Sequence, residues 1–383
     1  MKPLNYIKAI HSHLRVRRLE RRGIRVPQHV VVFESDDWGS IRMPSLATRE
    51  SLITKGVMLQ SPNTYDYVDT LASERDLMAL METLDSVRDS KGNPAVITLD
   101  TIVANPNFER IKESGFNQYF YEPFTETLKR YPHHGNSFSL WKEGMDKKLF
   151  RPQFHGREHL NVQLWLKRLK AGDSSALFAF EEGCFSMKCL INGRMQRVLE
   201  AYNAQTAEEY AFMQQSIKEG LVLFEKIFGY RSESMIAPCY TWDEPIEKAA
   251  MDCGVKYLQG NVLNSHSFYY SQSSPHQTPR IMGKRNLFGQ LHLVRNCLFE
   301  PTQVSKYNKD RCLRDISRQF RLHHPAIVSC HRLNFIGDLV PENRDKNLKE
   351  FKELLKTIIK VWPDVEFMSS DQLGAYLESY GEA

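Results

Sequence analysis

The sequence predicts an α/β fold: a mostly parallel sheet, covered by helices, that can close into a barrel. Two observations carry this. Short apolar runs alternate with segments of helical period along nearly the whole chain. Six or more such units are enough to close a ring, and a ring gathers functional side chains at the carboxyl ends of its strands.

The elements follow in order. "HVVVFESDDWGS" (29–40) opens with a strand over 29–34. A helix over 72–88 precedes the strand "PAVITLD" at 94–100. "EHLNVQLWLKRLK" (158–170) has helical period, with Leu160, Leu164 and Leu169 separated by polar residues. A longer helix over 206–228 starts after Thr206, and Thr206 with Glu209 has capping-box spacing. Then come "SMIAP" (234–238), a helix from near Asp243, and the strand candidates "GVKYLQG" (254–260) and "QLHLVRN" (290–296). The last third is clearest: helix 309–321, strand 326–330, helix 345–361, strand 365–370 and a short helix. "SHSFYYSQSSPHQTPR" (265–280) reads as a long surface loop or lid. No repeat or internal boundary is visible, so 25–383 reads as a single domain. Residues 1–24 read as a basic amphipathic helix packing on it through Ile7, Ile10, Leu14 and Leu19; peripheral contact with anionic lipid is the second reading.

Composition excludes several classes. With 42% hydrophobic and 25% charged residues, the chain is ordinary for a globular protein. A net charge of +5 over 383 residues, without a long Lys/Arg tract, gives no expectation of nucleic-acid binding. No apolar stretch approaches the roughly 18 residues of a membrane span, and the N-terminus lacks the apolar core of a secretory signal. The seven cysteines are odd in number, widely spaced and without C-x-x-C. Free thiols in a reducing compartment are expected, hence a cytoplasmic protein, with membrane association open through the N-terminal helix. Oligomeric state is not legible.

Four stretches carry chemistry. Asp36 and Asp37 end an apolar strand at a Gly-containing turn; a turn or helix cap would use such residues too. A metal ion would reverse their mutual repulsion, one carboxylate ligating it and the other staying free to take a proton. In "RPQFHGREHLNV" (151–162), His155 and His159 are four apart, which on a helix puts both imidazoles on one side. Two imidazoles and a carboxylate make a common catalytic zinc site with an open position. His331 follows the strand in "AIVSCHRLNF" (326–335) and is suited to general acid work. In "SMIAPCYTW" (234–242), Pro238 fixes a turn that can aim the N–H of Cys239 at a developing oxyanion, and Tyr240 and Trp242 can wall a cleft.

Taken together, "ESDDWGS", "HGREH", "MIAPCY" and "VSCHRLNF" resemble, in that chain order, the polysaccharide deacetylase family with its NodB-type catalytic domain. The resemblance covers roughly residues 28–372. It implies a distorted (β/α) barrel, usually of seven strands, that hydrolyses acetyl groups on carbohydrates with zinc or another divalent ion. It also implies Asp36 as general base, Asp37, His155 and His159 as metal ligands, His331 as the acid that protonates the leaving amine, and the Cys239 N–H as oxyanion donor. Two features depart from the family. Ile236 stands where an arginine buttressing the base is usual, so Arg157, Arg231 or Arg332 is expected to supply that charge. "YLQGNVLNS" lacks the usual Asp and Trp, leaving Asn261 as the nearest polar candidate. The expected reaction is release of acetate and a free amine from an N-acetyl group on a carbohydrate or glycan precursor. Hydrolysis of a non-carbohydrate amide, glycoside hydrolysis on a related barrel, and non-catalytic carbohydrate binding are the alternatives.

Overall fold

The computed structural model describes residues 14–57, 65–185, 188–191, 194–273 and 276–381. Strand β1 (Val30–Trp38) is buried along its whole length. Its apolar run faces cover on both sides, as a central parallel strand requires. It pairs with β8 (Ala326–His331) on one side and β2 (Ile97–Ile102) on the other. From β2 the sheet continues through β3 (Phe150–Gly156), β4 (Ser234–Met235), β5 (Tyr257–Gly260) and β6 (Leu291–Val294), while β7 (Cys297–Leu298) lies against β8. Every one of these pairings is parallel.

Strands β6 and β7 are one stretch of chain divided at Arg295–Asn296. The Arg295 N–H donates to the Gly260 carbonyl at 2.8 Å and the Asn296 N–H to that of Ile327 at 3.1 Å. One segment therefore bonds β5 with its first half and β8 with its second, which closes the ring. Counted as continuous segments, seven strands make the distorted barrel, as expected. An eighth segment, β9 (Glu366–Met368), pairs with Val30–Val32 at the start of β1.

The helices cover the ring: α1 (Glu74–Leu84), α2 (Val162–Lys170), α3 (Ala207–Phe228), α4 (Glu244–Asp252), α5 (Lys309–Arg321), α6 (Pro341–Val361) and α7 (Ser370–Gly381). One boundary and one cap differ from the sequence reading. Helix α2 starts only at Val162, because Asn161 caps it by accepting from the Leu164 N–H. Thr206 makes no side-chain cap on α3; instead Glu209 accepts from the Gln205 N–H at 2.6 Å. The stretch expected to be a loop at 265–280 is partly ordered, since Leu263–Ser265 and Gln277–Pro279 pair as an antiparallel ribbon.

Of the N-terminal segment, residues 14–20 are helical. Val16 and Leu19 pack on a cluster that includes Val26, Val30, Met282 and Leu291, whereas Leu14 is exposed. Ile7 and Ile10 lie outside the described residues. Among the described residues no helix is long and apolar enough to cross a membrane.

Candidate metal centre and active site

Both aspartates reach one pole of the barrel because β1 breaks its own alternation. Successive side chains of a regular strand point to opposite faces, but Asp37 has φ 73° and the β1–β2 register shifts between Ser35 and Trp38. Gly39 (φ 81°) completes the turn, and a Cβ there would lie 2.2 Å from the Ile102 carbonyl oxygen. The turn is thus built around one left-handed aspartate and a glycine that nothing larger can replace.

His155 is the penultimate residue of β3, Gly156 closes the strand at φ 142°, and the chain then turns to bring His159 back. The two histidines do not share a helix: a strand end and a glycine turn make them converge. Nε2 of His155 lies 3.4 Å and Nε2 of His159 3.2 Å from Asp37 Oδ1. One ligand atom from each of the three residues falls within 4.8 Å of the others, and all three are buried. The His155 Nδ1–H donates to the Ile236 carbonyl at 3.0 Å, which orients the ring and leaves its buried Nε2 without a hydrogen-bond partner. Two imidazoles, a carboxylate and an orphaned buried nitrogen fit a divalent cation. Burial pushes the His159 imidazole down, keeping it neutral for ligation. Burial alone would raise the Asp37 carboxyl, but His159, His155 and Arg42 hold it well below its usual range. Arg157 fixes the turn through two 2.6 Å bonds to Glu158, with its guanidinium 4.4 Å over the Tyr121 ring.

Asp36 is gripped by Arg295, whose Nη1 and Nη2 donate to its two carboxylate oxygens at 2.8 and 2.5 Å. None of the three arginines expected for this task performs it. Arg157 pairs with Glu158 and Glu219, Arg231 with Glu225, and Arg332 with Asp69. Arg295 also donates to Glu34 at 2.6 Å and to Asp100 at 3.0 Å, so three buried carboxylates share one cation. Burial would raise Asp36, yet Arg295 brings it down to about 2. Burial and the neighbouring Asp36 push Asp100 well above its usual value; Gln259 donates to both its oxygens, at 3.0 and 3.2 Å. Arg295 closes the apolar run "QLHLVRN" just as Asp36 and His331 close theirs. That shared pattern is the signal that could have found it.

His331 stands across from Asp36, its Nε2 3.6 Å from Asp36 Oδ2. Its Nδ1–H donates to Glu300 at 2.5 Å. Burial lowers the imidazole, but Glu300 and the aspartates outweigh that and raise it to about 9. Glu300, absent from the sequence reading, accepts a second bond from Asn334 at 2.7 Å. Cys239 and Tyr240 form a left-handed turn (φ 57° and 54°) after Pro238, with the Cys239 Sγ 3.7 Å from the Leu199 carbonyl. Tyr240 lines the cleft, where its hydroxyl accepts from Arg295 at 2.8 Å. Trp242 does not: it is buried against Gly260 and donates to Glu247 at 3.0 Å. A groove of about 580 Å³ runs from His331, Tyr240 and Arg295 past Asn261 towards Val16 and Glu20.

No protein-family model matches the chain, and no curated protein matches its sequence. Among solved structures it is similar to a protein designated a polysaccharide deacetylase from Mycobacterium smegmatis, at 10% identity and TM-score 0.44, covering 94% of each chain. A protein from Parabacteroides distasonis designated a glycoside hydrolase/deacetylase aligns at 10% identity and TM-score 0.47, over 92% of this chain and 71% of that one. A family 4 carbohydrate esterase from Streptomyces lividans in complex with acetate aligns at 10% identity and TM-score 0.35, over 88% and 91%. None of these reaches a TM-score of 0.5, so the functional reading stands on the residues of the site itself.

Proposed function

We propose that this protein is a metal-dependent deacetylase that hydrolyses an N-acetyl group on a carbohydrate or sugar-containing precursor. The observation that carries it is the juxtaposition of the Asp37–His155–His159 cluster with an arginine-held carboxylate and a facing histidine. Zinc suits the donor set best, held by Asp37, His155 and His159. When bound, such an ion polarises the amide carbonyl and makes water acidic enough to attack at neutral pH.

The chain's own groups complete the reaction. Asp36, kept ionised by Arg295, accepts a proton from the attacking water as its oxygen bonds to the acyl carbon. The Cys239 N–H, in the left-handed turn after Pro238, would be the donor to the oxygen on which negative charge develops. His331, protonated at neutral pH, donates its proton to the nitrogen as the C–N bond breaks. Acetate and a free amine result. Two oppositely poised titratable groups across one cleft are what acid–base work on an amide requires.

The odd number and wide spacing of the cysteines, with no C-x-x-C, support a reducing, cytoplasmic setting. The test is acetate release over a panel of N-acetylated sugars and simple N-acetyl amides. Turnover should vanish with a chelator and return with Zn²⁺. Turnover confined to non-sugar amides would transfer the activity to another substrate class, and chelator-resistant turnover would overturn the metal role.

A further inference from the structure

The groove that starts at His331 ends against the N-terminal helix, where a second, smaller cleft adjoins it. This cleft, of about 120 Å³, is lined by Arg17, Glu20, Arg21, Arg318, Arg321 and Leu322. Glu20 and Arg318 line both spaces, so the two meet there. Four guanidinium groups face one carboxylate. Arg318 reaches Glu20 at only 3.5 Å and the Asn296 carbonyl at 3.4 Å, and its buried Nε has no hydrogen-bond partner. Arg17, Arg21 and Arg321 are exposed and make no ion pair among the described residues. The exposed Arg15, Arg18, Arg22 and Arg314 extend the positive field. Surface arginines are ordinarily just solvated. Here, though, four converge on one concavity, beside a wall that leads to the catalytic histidine.

We propose that this arginine cleft binds a phosphate group carried by the substrate, so that the enzyme acts on a phosphorylated or diphosphate-linked N-acetyl sugar. The proposal rests on the deacetylase reading and names its substrate class. Guanidinium forks match phosphate oxygens in pairs, which gives both affinity and register. The anion would neutralise the excess charge at Arg318 while the sugar extends along the groove towards His331. A phosphate on a membrane lipid offers the same chemistry, and the test separates the two sources.

Binding of inorganic pyrophosphate to the full chain is measured by calorimetry, for the wild type and for the double variant Arg17→Gln/Arg321→Gln. Neither residue touches the catalytic groups. The wild type should bind, and the variant should bind at least tenfold more weakly; absent binding or equal affinities overturn the cleft. Turnover then compares the best neutral sugar of the panel with its 1-phosphate. The phosphate should raise kcat/KM at least tenfold in the wild type. That preference should fall towards one in the variant, with the neutral sugar unaffected. An equal preference in both proteins overturns the substrate assignment. So does sedimentation with phosphatidylglycerol vesicles that depends on these arginines while pyrophosphate neither binds nor competes. Calorimetry needs no turnover, so a failed deacetylase reading and a failed phosphate cleft give different results.

Discussion

Where β2 and β3 begin, a cavity of about 440 Å³ lies beside Phe150, Arg151, Tyr230 and Asp371; where the strands end, the larger groove lies beside Arg295 and His331. Each has an arginine bonded to carboxylate. Among the described residues Arg151 pairs with Asp371 alone, at 2.7 Å, with its side chain 36% exposed and stacked over Tyr230. Arg295 is 1% exposed and faces Glu34, Asp36 and Asp100, all of them buried. The first pair is neutral: one half-exposed guanidinium meets one buried carboxylate, which also accepts from Ser369 at 2.6 Å. In the second, burial raises Glu34 and Asp100, with the charge of Asp36 adding to it, while Arg295 keeps Asp36 ionised. A cavity alone therefore does not distinguish the two ends. Buried charges gathered round one guanidinium, beside a facing histidine and a candidate metal cluster, do.

The largest way to break this contrast is at the ligands. Asp37→Ala and His155→Ala should each abolish both metal binding and turnover, while metal content of the folded protein is read by mass spectrometry. Metal retained at wild-type stoichiometry would show that the cluster is not the binding site. Next in size, Asp36→Asn should keep the metal and lose about 10²–10⁴ in kcat, the usual worth of a positioned proton acceptor. A fully active, metal-dependent Asp36→Asn enzyme would remove the base from the scheme.

The third test makes one substitution at both ends. Arg295→Met strands three buried carboxylates without their cation and should cost about 3–5 kcal/mol. Arg151→Met keeps an apolar stem over Tyr230 and strands a single buried carboxylate that still accepts from Ser369, so it should cost less, about 1–3 kcal/mol. Denaturant midpoints measure both, and equal costs would erase the contrast.

The sequence disclosed this architecture unevenly. Asp36, Asp37 and His331 were legible because each ends an apolar run, a pattern that a ring of parallel strands turns into a shared pole. The seven-strand count came from the family resemblance, and it holds because 291–298 serves two neighbours at once. His155 and His159 were paired correctly for the wrong local reason. Spacing of four suggests a helix, whereas a φ of 142° at Gly156 folds a strand end back on itself. The arginine that holds Asp36 is none of the candidates beside the motifs and lies 259 residues away in sequence. Only ring closure at Arg295–Asn296 brings it there, and closure is a property of the whole sheet. Tyr240 and Trp242 stand two residues apart, yet the left-handed turn at 239–240 sends the two rings to different environments.

The smallest and sharpest effect concerns His331. Its imidazole is buried, which by itself favours the neutral form, and Glu300 beside it reverses that, giving a value of about 9. The acid is therefore protonated through neutral pH and loses its proton as pH rises through about 9, so kcat/KM should fall on that alkaline side. Glu300→Gln preserves the shape and can still accept from His331 while removing the charge. Burial then weighs more heavily, opposed only by the aspartates, and the alkaline limb should move down by about one to three pH units. Below the shifted limb, turnover should remain near wild type, because the proton donor is still in place. The pH profile of kcat/KM decides it. A limb unmoved in Glu300→Gln would mean that some group other than His331 sets it, and the pairing of an acid held high with a base held low across this cleft would lose its acid.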